Sequence, residues 1–382
     1  MEIYLDNSAT TKPYKEVIES MVEALENDFA NPSAAHSKGV AVERKIKKIR
    51  QLISRKIGID EKEIFFTSGG TECNNTIIKG VANYNKKRKN HIISTKIEHP
   101  SVLNTLSELE TEGFEVTYLD VDSNGIINLE DFKNSLKPNT CLVSIMHVNN
   151  EIGSVQPVEQ IGKLLKCLNE KVYFHIDAVQ SFGKIDFKPS QIGVDFMSVS
   201  GHKFHGPKGI GFMYIKKDSK IKPFLHGGGQ ERGFRSGTEN VPGIYGIGKA
   251  TEVLFEDLNS NIEKMKSLRE LLKSQIEKNI DNIKINSTED GVCHILNVSF
   301  LDVKGEVLLH FLEQKGIYVS TGSACSSKKK GSHVLNAIGL SQDEIDGAIR
   351  FSLSELNTEE EILKAVDVLK DSVNQIRNIM KR

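Results

Sequence analysis

Between about residue 60 and residue 215, short runs rich in β-branched and aromatic residues alternate with stretches of helical periodicity. The runs are "EIFFTS", "HIIST", "EVTYLDV", "TCLVSIMHV", "VYFHIDA" and "VDFMSV". Such alternation predicts an α/β domain with a mostly parallel sheet, because strands covered on both faces read as apolar runs and the helices between them supply the cover. "GIGFMYIKK", after a short glycine turn, is placed to add an antiparallel strand.

Two amphipathic helices are expected ahead of this region. Val17, Ile18, Met21, Val22 and Leu25 form one apolar face, and Ile46, Ile49, Ile53 and Ile57 another. After it, Ile262, Met265, Leu268, Leu272, Ile276 and Ile280 mark a long helix leading into a second domain. A chain of 382 residues usually divides in two. The second core is read from "HILNVSF", "GEVLLHFLEQKG", "IYVST" and "AIRFSLS". A last helix opens on a capping box from Thr358 to Glu361.

The balance of 50 basic against 51 acidic residues leaves a net charge of −1, which argues against a nucleic-acid or membrane-surface partner. The segment "MEIYLDNSATT" carries no targeting pattern and no window spans a bilayer, so a cytoplasmic protein is expected. Five cysteines without a CxxC pair argue against a disulfide framework or a zinc site, and no metal is expected. Cys73, Cys141, Cys167 and Cys293 sit in contexts where an inert buried thiol is the default. Cys325 differs, lying in the polar stretch "STGSACSSKKKGSH".

Ligands of open α/β sheets bind beyond the carboxyl ends of the strands, so the residues after each apolar run deserve inspection. "TSGGTECNN" joins two glycines to Thr71 at a helix start suited to an anion. His99 precedes the proline of "EHPS", and Asn149 and Asn150 follow "LVSIMHV". "VYFHI" ends on Asp177, a carboxylate whose burial costs several kcal/mol unless a cation or donors meet it. "VDFMSV" runs into Ser200, His202 and Lys203 among the glycines of "SGHKFHGPKG". Each residue alone also reads as an ordinary turn or core group. Together they supply a lysine for a Schiff base, a carboxylate for a pyridinium nitrogen, donors for a phosphate and a flat group over a ring, the requirements of pyridoxal 5′-phosphate.

"YLDNSATT", "NPSAAHSKG", "FTSGGTECNN", "EHPSV", "SIMHVNNEIG", "HIDAVQS", "SGHKFHGPKGIG", "HGGGQERGFRSGTEN", "STGSACSS" and "IRFSLS" resemble, in order and spacing, the cysteine desulfurases of the NifS/IscS group. The resemblance runs to about residue 356. It implies a fold-type I homodimer dependent on pyridoxal phosphate. The large domain, residues 15–258, would hold a mostly parallel seven-stranded sheet, and a smaller α+β domain would be built from residues 1–14 and 259–382. It implies Lys203 as the Schiff-base lysine, Asp177 on the ring nitrogen, Gln180 on the phenolic oxygen and His99 stacked on the ring as a proton shuttle. Gly70 and Thr71 with Ser200 and His202 would form the phosphate site, Thr238 would reach the partner subunit's phosphate, and Asn150 and Arg350 would clamp the carboxylate of L-cysteine.

Cys325 resembles the thiol that accepts sulfur as a persulfide, leaving L-alanine. The sulfur would go to acceptor proteins of iron-sulfur cluster assembly or of tRNA or cofactor thiolation. Lys328, Lys329 and Lys330 would either raise the thiolate fraction or meet an acceptor protein. The segment after Cys325 is slightly shorter than in the best-known iron-sulfur members. Gly70 stands where many relatives carry alanine, a change expected to keep the turn. A selenocysteine lyase or an aminotransferase of the same fold is the alternative, and a non-catalytic scaffold is disfavoured by Lys203 together with Cys325.

Overall fold

The computed structural model describes residues 2–321 and 331–380. Its strands are β1 (Ile3–Tyr4), β2 (Ile64–Thr67), β3 (His91–Thr95), β4 (Glu115–Leu119), β5 (Thr140–Met146), β6 (Tyr173–Asp177), β7 (Phe196–Ser200), β8 (Gly211–Ile215), β9 (Ile283–Ile285), β10 (Ile295–Phe300), β11 (Ile317–Tyr318) and β12 (Ala348–Ser352). Seven of them form one sheet in the order β2-β8-β7-β6-β5-β3-β4. The run from β7 to β4 is parallel, and β8 pairs antiparallel with both β7 and β2. Every residue of β3, β5, β6, β7 and β8 is buried, the mark of a sheet covered on both faces. One apolar cluster, with Ile46, Ile53, Phe174, Phe204 and Ile247, packs on one side. A second, with Ile77, Leu106, Leu142 and Phe196, packs on the other.

A separate core forms around the antiparallel sheet β12-β10-β9. The helices Leu258–Asn279 and Glu359–Met380 cover it with Leu268, Leu272 and Ile276 from one and Ile362, Val366, Leu369, Val373 and Ile376 from the other. The expected capping box is formed, the Thr358 amide donating to Glu361 and the Glu361 amide to the Thr358 hydroxyl. Ile3 and Leu5 belong to this core, drawn there by the parallel pairing of β1 with β11. Among the described residues no helix is long and apolar enough to cross a membrane.

Two expectations need correction. In the helix Lys15–Asn27 the buried residues are Val17 and Ala24, while Ile18, Val22 and Leu25 are 51%, 44% and 62% exposed. Only one edge of that face, Val17 and Met21 with Ala24 beside them, packs inward, against the helix Val241–Leu254 whose glycines allow close approach. Cys167, expected buried, is exposed at the end of the helix Val158–Lys166.

Candidate active site

The ends of β6 and β7 place the polar groups. Asp177, the last residue of β6, is buried, with Oδ2 accepting from Asn74 Nδ2 at 2.8 Å and Oδ1 from the Val179 amide at 3.0 Å. Asn74 also donates to Ser101 Oγ, 2.9 Å away. His99 caps the helix Pro100–Thr111, its Nδ1 accepting from the Ser101 amide at 3.1 Å, so Nε2 is the atom left to give or take a proton. His99 is exposed, and partial desolvation holds its pKa below the usual histidine value, opposed by Asp177 and aided by Lys203 and His333. Those influences also place His99 within electrostatic reach of both Asp177 and Lys203.

Lys203 follows β7 at the end of a short turn, with Nζ donating to the carbonyls of Ser8 at 2.6 Å and Ala9 at 2.9 Å. The turn is fixed by His205, a non-glycine residue at φ 62°. Such a conformation persists only where the surroundings over-determine it. Here the His205 amide donates to Thr11 Oγ1, its Nδ1 meets the Lys12 carbonyl, and its ring stacks on Tyr14 at 4.4 Å. Glu355 lies 3.2 Å from Nε2. His202 meets Thr10 Oγ1 at 3.2 Å, and burial, then Lys203 and Lys208, push its pKa down to about 4. It is therefore neutral at physiological pH.

Gly69 caps the helix Gly70–Asn85 at φ 147° with no side-chain cap bond, leaving first-turn amides to an anion. A Cβ on Gly69 would stand 3.3 Å from Ser200 Oγ, so Ser200 lines the same spot. Thr71 is exposed there. A Cβ on Gly70 would stand 2.7 Å from Val179 Cγ2. An alanine here would need Val179 to shift, whereas the glycine present keeps the turn into the helix.

A second wall comes from elsewhere. Arg350, in β12, donates from Nη1 to the Asn150 carbonyl at 2.9 Å and from Nη2 to Asp6 Oδ1 at 2.7 Å. Gln180 Nε2 donates to the Ser8 carbonyl at 3.0 Å. Thr238 is exposed on the stretch after Glu231, itself clamped by a buried ion pair with Arg50 at 2.7 Å and by the Phe66 amide. Among the described residues no hydrogen bond or ion pair ties Thr238 to the other candidates. Cys325 and Lys328, Lys329 and Lys330 lie outside the described residues, as does Gly322. Among the described residues no cluster could hold a metal ion.

Sequence reasoning missed four contributors. Asn74 orients Asp177, the Ser8 carbonyl holds both Lys203 and Gln180, Asp6 pairs with Arg350, and Glu98 stands fully buried beside His99. Glu98 Oε1 accepts from Thr95 Oγ1 and the Met146 amide, and burial pushes its carboxyl up to about 8.

A buried carboxylate ending β6, an amine after β7 and an uncapped helix start beside Ser200 suit a pyridine ring, an aldehyde and a phosphate in turn, so the donor set fits pyridoxal phosphate. Residues 3–364 match the family Aminotransferase class-V. "Cysteine desulfurase IscS" of Clostridium botulinum is 44% identical, covering 99% of this chain and 96% of its own. That of Methanosarcina thermophila is 43% identical, covering 99% and 93%. A solved NifS-like protein superposes with a TM-score of 0.93 at 41% identity over 98% of this chain and 100% of its own. A structure of SspA in complex with cysteine gives 0.83 at 37% identity over 94% and 100%. Fold, site geometry and full-length kinship agree: the chain belongs to the class V aminotransferase family, and within it to the cysteine desulfurases.

Proposed function

We propose that this chain binds pyridoxal phosphate at the strand-end site and uses it to move sulfur from L-cysteine to Cys325, releasing L-alanine. The observation that carries the reading is the convergence of Asp177, Lys203 and the uncapped helix start on one end of the sheet, with Arg350 facing them from the second core. Family membership implies dependence on this cofactor. Asp177 would hold the ring nitrogen, Thr71, Ser200 and His202 with the Gly70 turn the phosphate, Gln180 the phenolic oxygen, and Lys203 the aldehyde carbon.

When bound, the cofactor supplies an electron sink that acidifies the substrate α-carbon. The protein's own groups do the rest. Arg350 and Asn150 orient the substrate carboxylate. Lys203 and His99, the latter through Nε2, hold and return protons at the α- and β-carbons. The Cys325 thiolate attacks the substrate sulfur, so an S–S bond forms while the C–S bond breaks, and the electron pair left on the carbon side takes a proton to give alanine. Cysteine and a thiol become alanine and a persulfide, with atoms and electrons balanced.

Thr238, exposed and distant in hydrogen-bonding terms from its own site, suits a role in a partner subunit. The uncovered apolar residues Ile18, Val22, Leu25 and Phe29 support the same homodimer. Delivery of the persulfide sulfur to acceptor proteins, for iron-sulfur clusters or for thiolation, completes the reading.

The test is brief exposure of the yellow holoenzyme and of Cys325→Ser to L-cysteine, followed by alanine assay and peptide mass spectrometry. Wild type should gain one sulfur on the peptide holding residue 325. The variant should keep its colour, respond spectrally to cysteine and make little alanine. Sulfur found on Cys73, Cys141, Cys167 or Cys293, or undiminished alanine from the variant, overturns the assignment.

A further inference from the structure

Asp6 belongs to none of the roles above, yet it is the counter-ion of Arg350. Their 2.7 Å ion pair is largely enclosed, the two side chains being 20% and 10% exposed. Arg350 spends one donor of Nη2 on Asp6 and one of Nη1 on the Asn150 carbonyl, while its buried Nε meets no acceptor among the described residues. A guanidinium has five N–H donors in one plane, so two anchors on different nitrogens fix that plane and leave donors unspent.

Asp6 is itself held. It bridges to Ser352, two residues along β12 from Arg350, and Asn7 and Ser8 continue the attachment. The Asn7 amide and Nδ2 both donate to the Ser352 carbonyl, at 3.1 and 2.9 Å, and the Ser8 amide donates to Ser352 Oγ at 2.8 Å. The anchor and the arginine thus ride on the same strand.

We propose, building on the assignment of Arg350 as the carboxylate clamp, that Asp6 is a positioning residue. It sets the direction of the Arg350 fork so that the unspent donors face the α-carboxylate of the amino-acid substrate. Two effects compete. The negative charge of Asp6 repels an incoming carboxylate, whereas a fixed fork meets it without first losing rotamer freedom. The Asp6 charge is already compensated by Arg350 in their 2.7 Å pair, so its repulsion of a carboxylate is the weaker of the two when the fork is bidentate, and removing that charge weakens substrate binding.

The experiment uses the holoenzyme and two readouts: steady-state alanine formation from L-cysteine, and the midpoint of the visible-absorbance change on titration with L-alanine, which carries the carboxylate without the sulfur. Asp6→Asn should raise KM and the alanine midpoint about tenfold while kcat stays within about twofold, as expected for loss of a charge-assisted orienting bond. Asn7→Ala, which loosens the segment but keeps the Asp6 charge beside Arg350, should lower Tm and raise KM and the alanine midpoint by much less than Asp6→Asn does. An unchanged or lowered KM in Asp6→Asn, or an equal rise in Asn7→Ala, overturns the proposal. Arg350→Lys separates the two claims: if it leaves KM unchanged, the clamp itself is wrong, and if it alone raises KM, only the role of Asp6 falls.

Discussion

The two walls of the site are built in different ways. Asp177 and Ser200 end neighbouring parallel strands, where the hydrogen-bond ladder and burial fix their spacing, and Lys203 follows Ser200 in a short turn. Asp6, Asn150 and Arg350 come from three separate stretches of chain and are joined by side-chain and carbonyl bonds spanning 200 and 344 residues. The first wall suits the reacting bonds, where small displacements are costly, and the second suits grip on the substrate. Damage to the first should therefore appear in kcat, and damage to the second in KM.

The largest effect is expected from Asp177→Asn. The neutral amide keeps its oxygen for the Val179 amide and meets Asn74 once that side-chain amide turns its own oxygen toward the new NH2, but it removes the counter-charge to a ring nitrogen, so kcat should fall about 10²- to 10³-fold with KM little changed and colour retained. Stopped-flow or steady-state alanine assay decides it, and a kcat near wild type would erase the contrast between the walls. Arg350→Lys should do the reverse. A point charge replaces a fork, so KM should rise about ten- to a hundredfold with a smaller change in kcat. A fall in kcat as large as that of Asp177→Asn would show that both walls act on the chemistry.

The smallest effect concerns Glu98, behind the first wall. Its pKa is raised from the usual carboxyl value to about 8 in the folded protein. The folded state therefore holds a proton that the unfolded state releases, and the resulting cost to stability grows as pH rises from about 4.5 to 8 and then levels off. Glu98→Gln removes the titration while keeping an acceptor for Thr95 and Met146. Its Tm should match wild type near pH 5 and exceed it by about a few degrees at pH 8.5. Equal Tm values at both pH values would mean that the carboxyl is charged in the fold.

The first wall was legible in the sequence and the second only half so. Strand ends announce themselves through apolar runs, and Asp177 and Lys203 stand out because charges there need a reason. Arg350 came from motif resemblance alone, while Asn150 was marked by its place after a strand and given its role by the resemblance. Asp6 and the Ser8 carbonyl carry no periodic signal, since their partners lie across the chain and two of the bonds use backbone oxygen. The helix Lys15–Asn27 was misread for a related reason. Its apolar residues make one broad stripe, and only the packing against Val241–Leu254 selects which edge of it goes inward.

The pairing of β1 with β11, and of Asp6 with Ser352, also bears on how the protein is made. Residues 3–8 leave the ribosome more than 300 residues before the strands that receive them, and Asn7 waits 345 residues for Ser352. Contacts so distant in sequence form late, after the loops between them have closed. The seven-stranded sheet, ending at Ile215, can fold during synthesis, but Lys203 gains its Ser8 and Ala9 carbonyls in place, and Arg350 its fork, only when translation is nearly over. On the roles proposed above, grip on the substrate is thereby deferred to an almost complete chain, and a nascent fragment that ends before β12 carries Lys203 without Arg350.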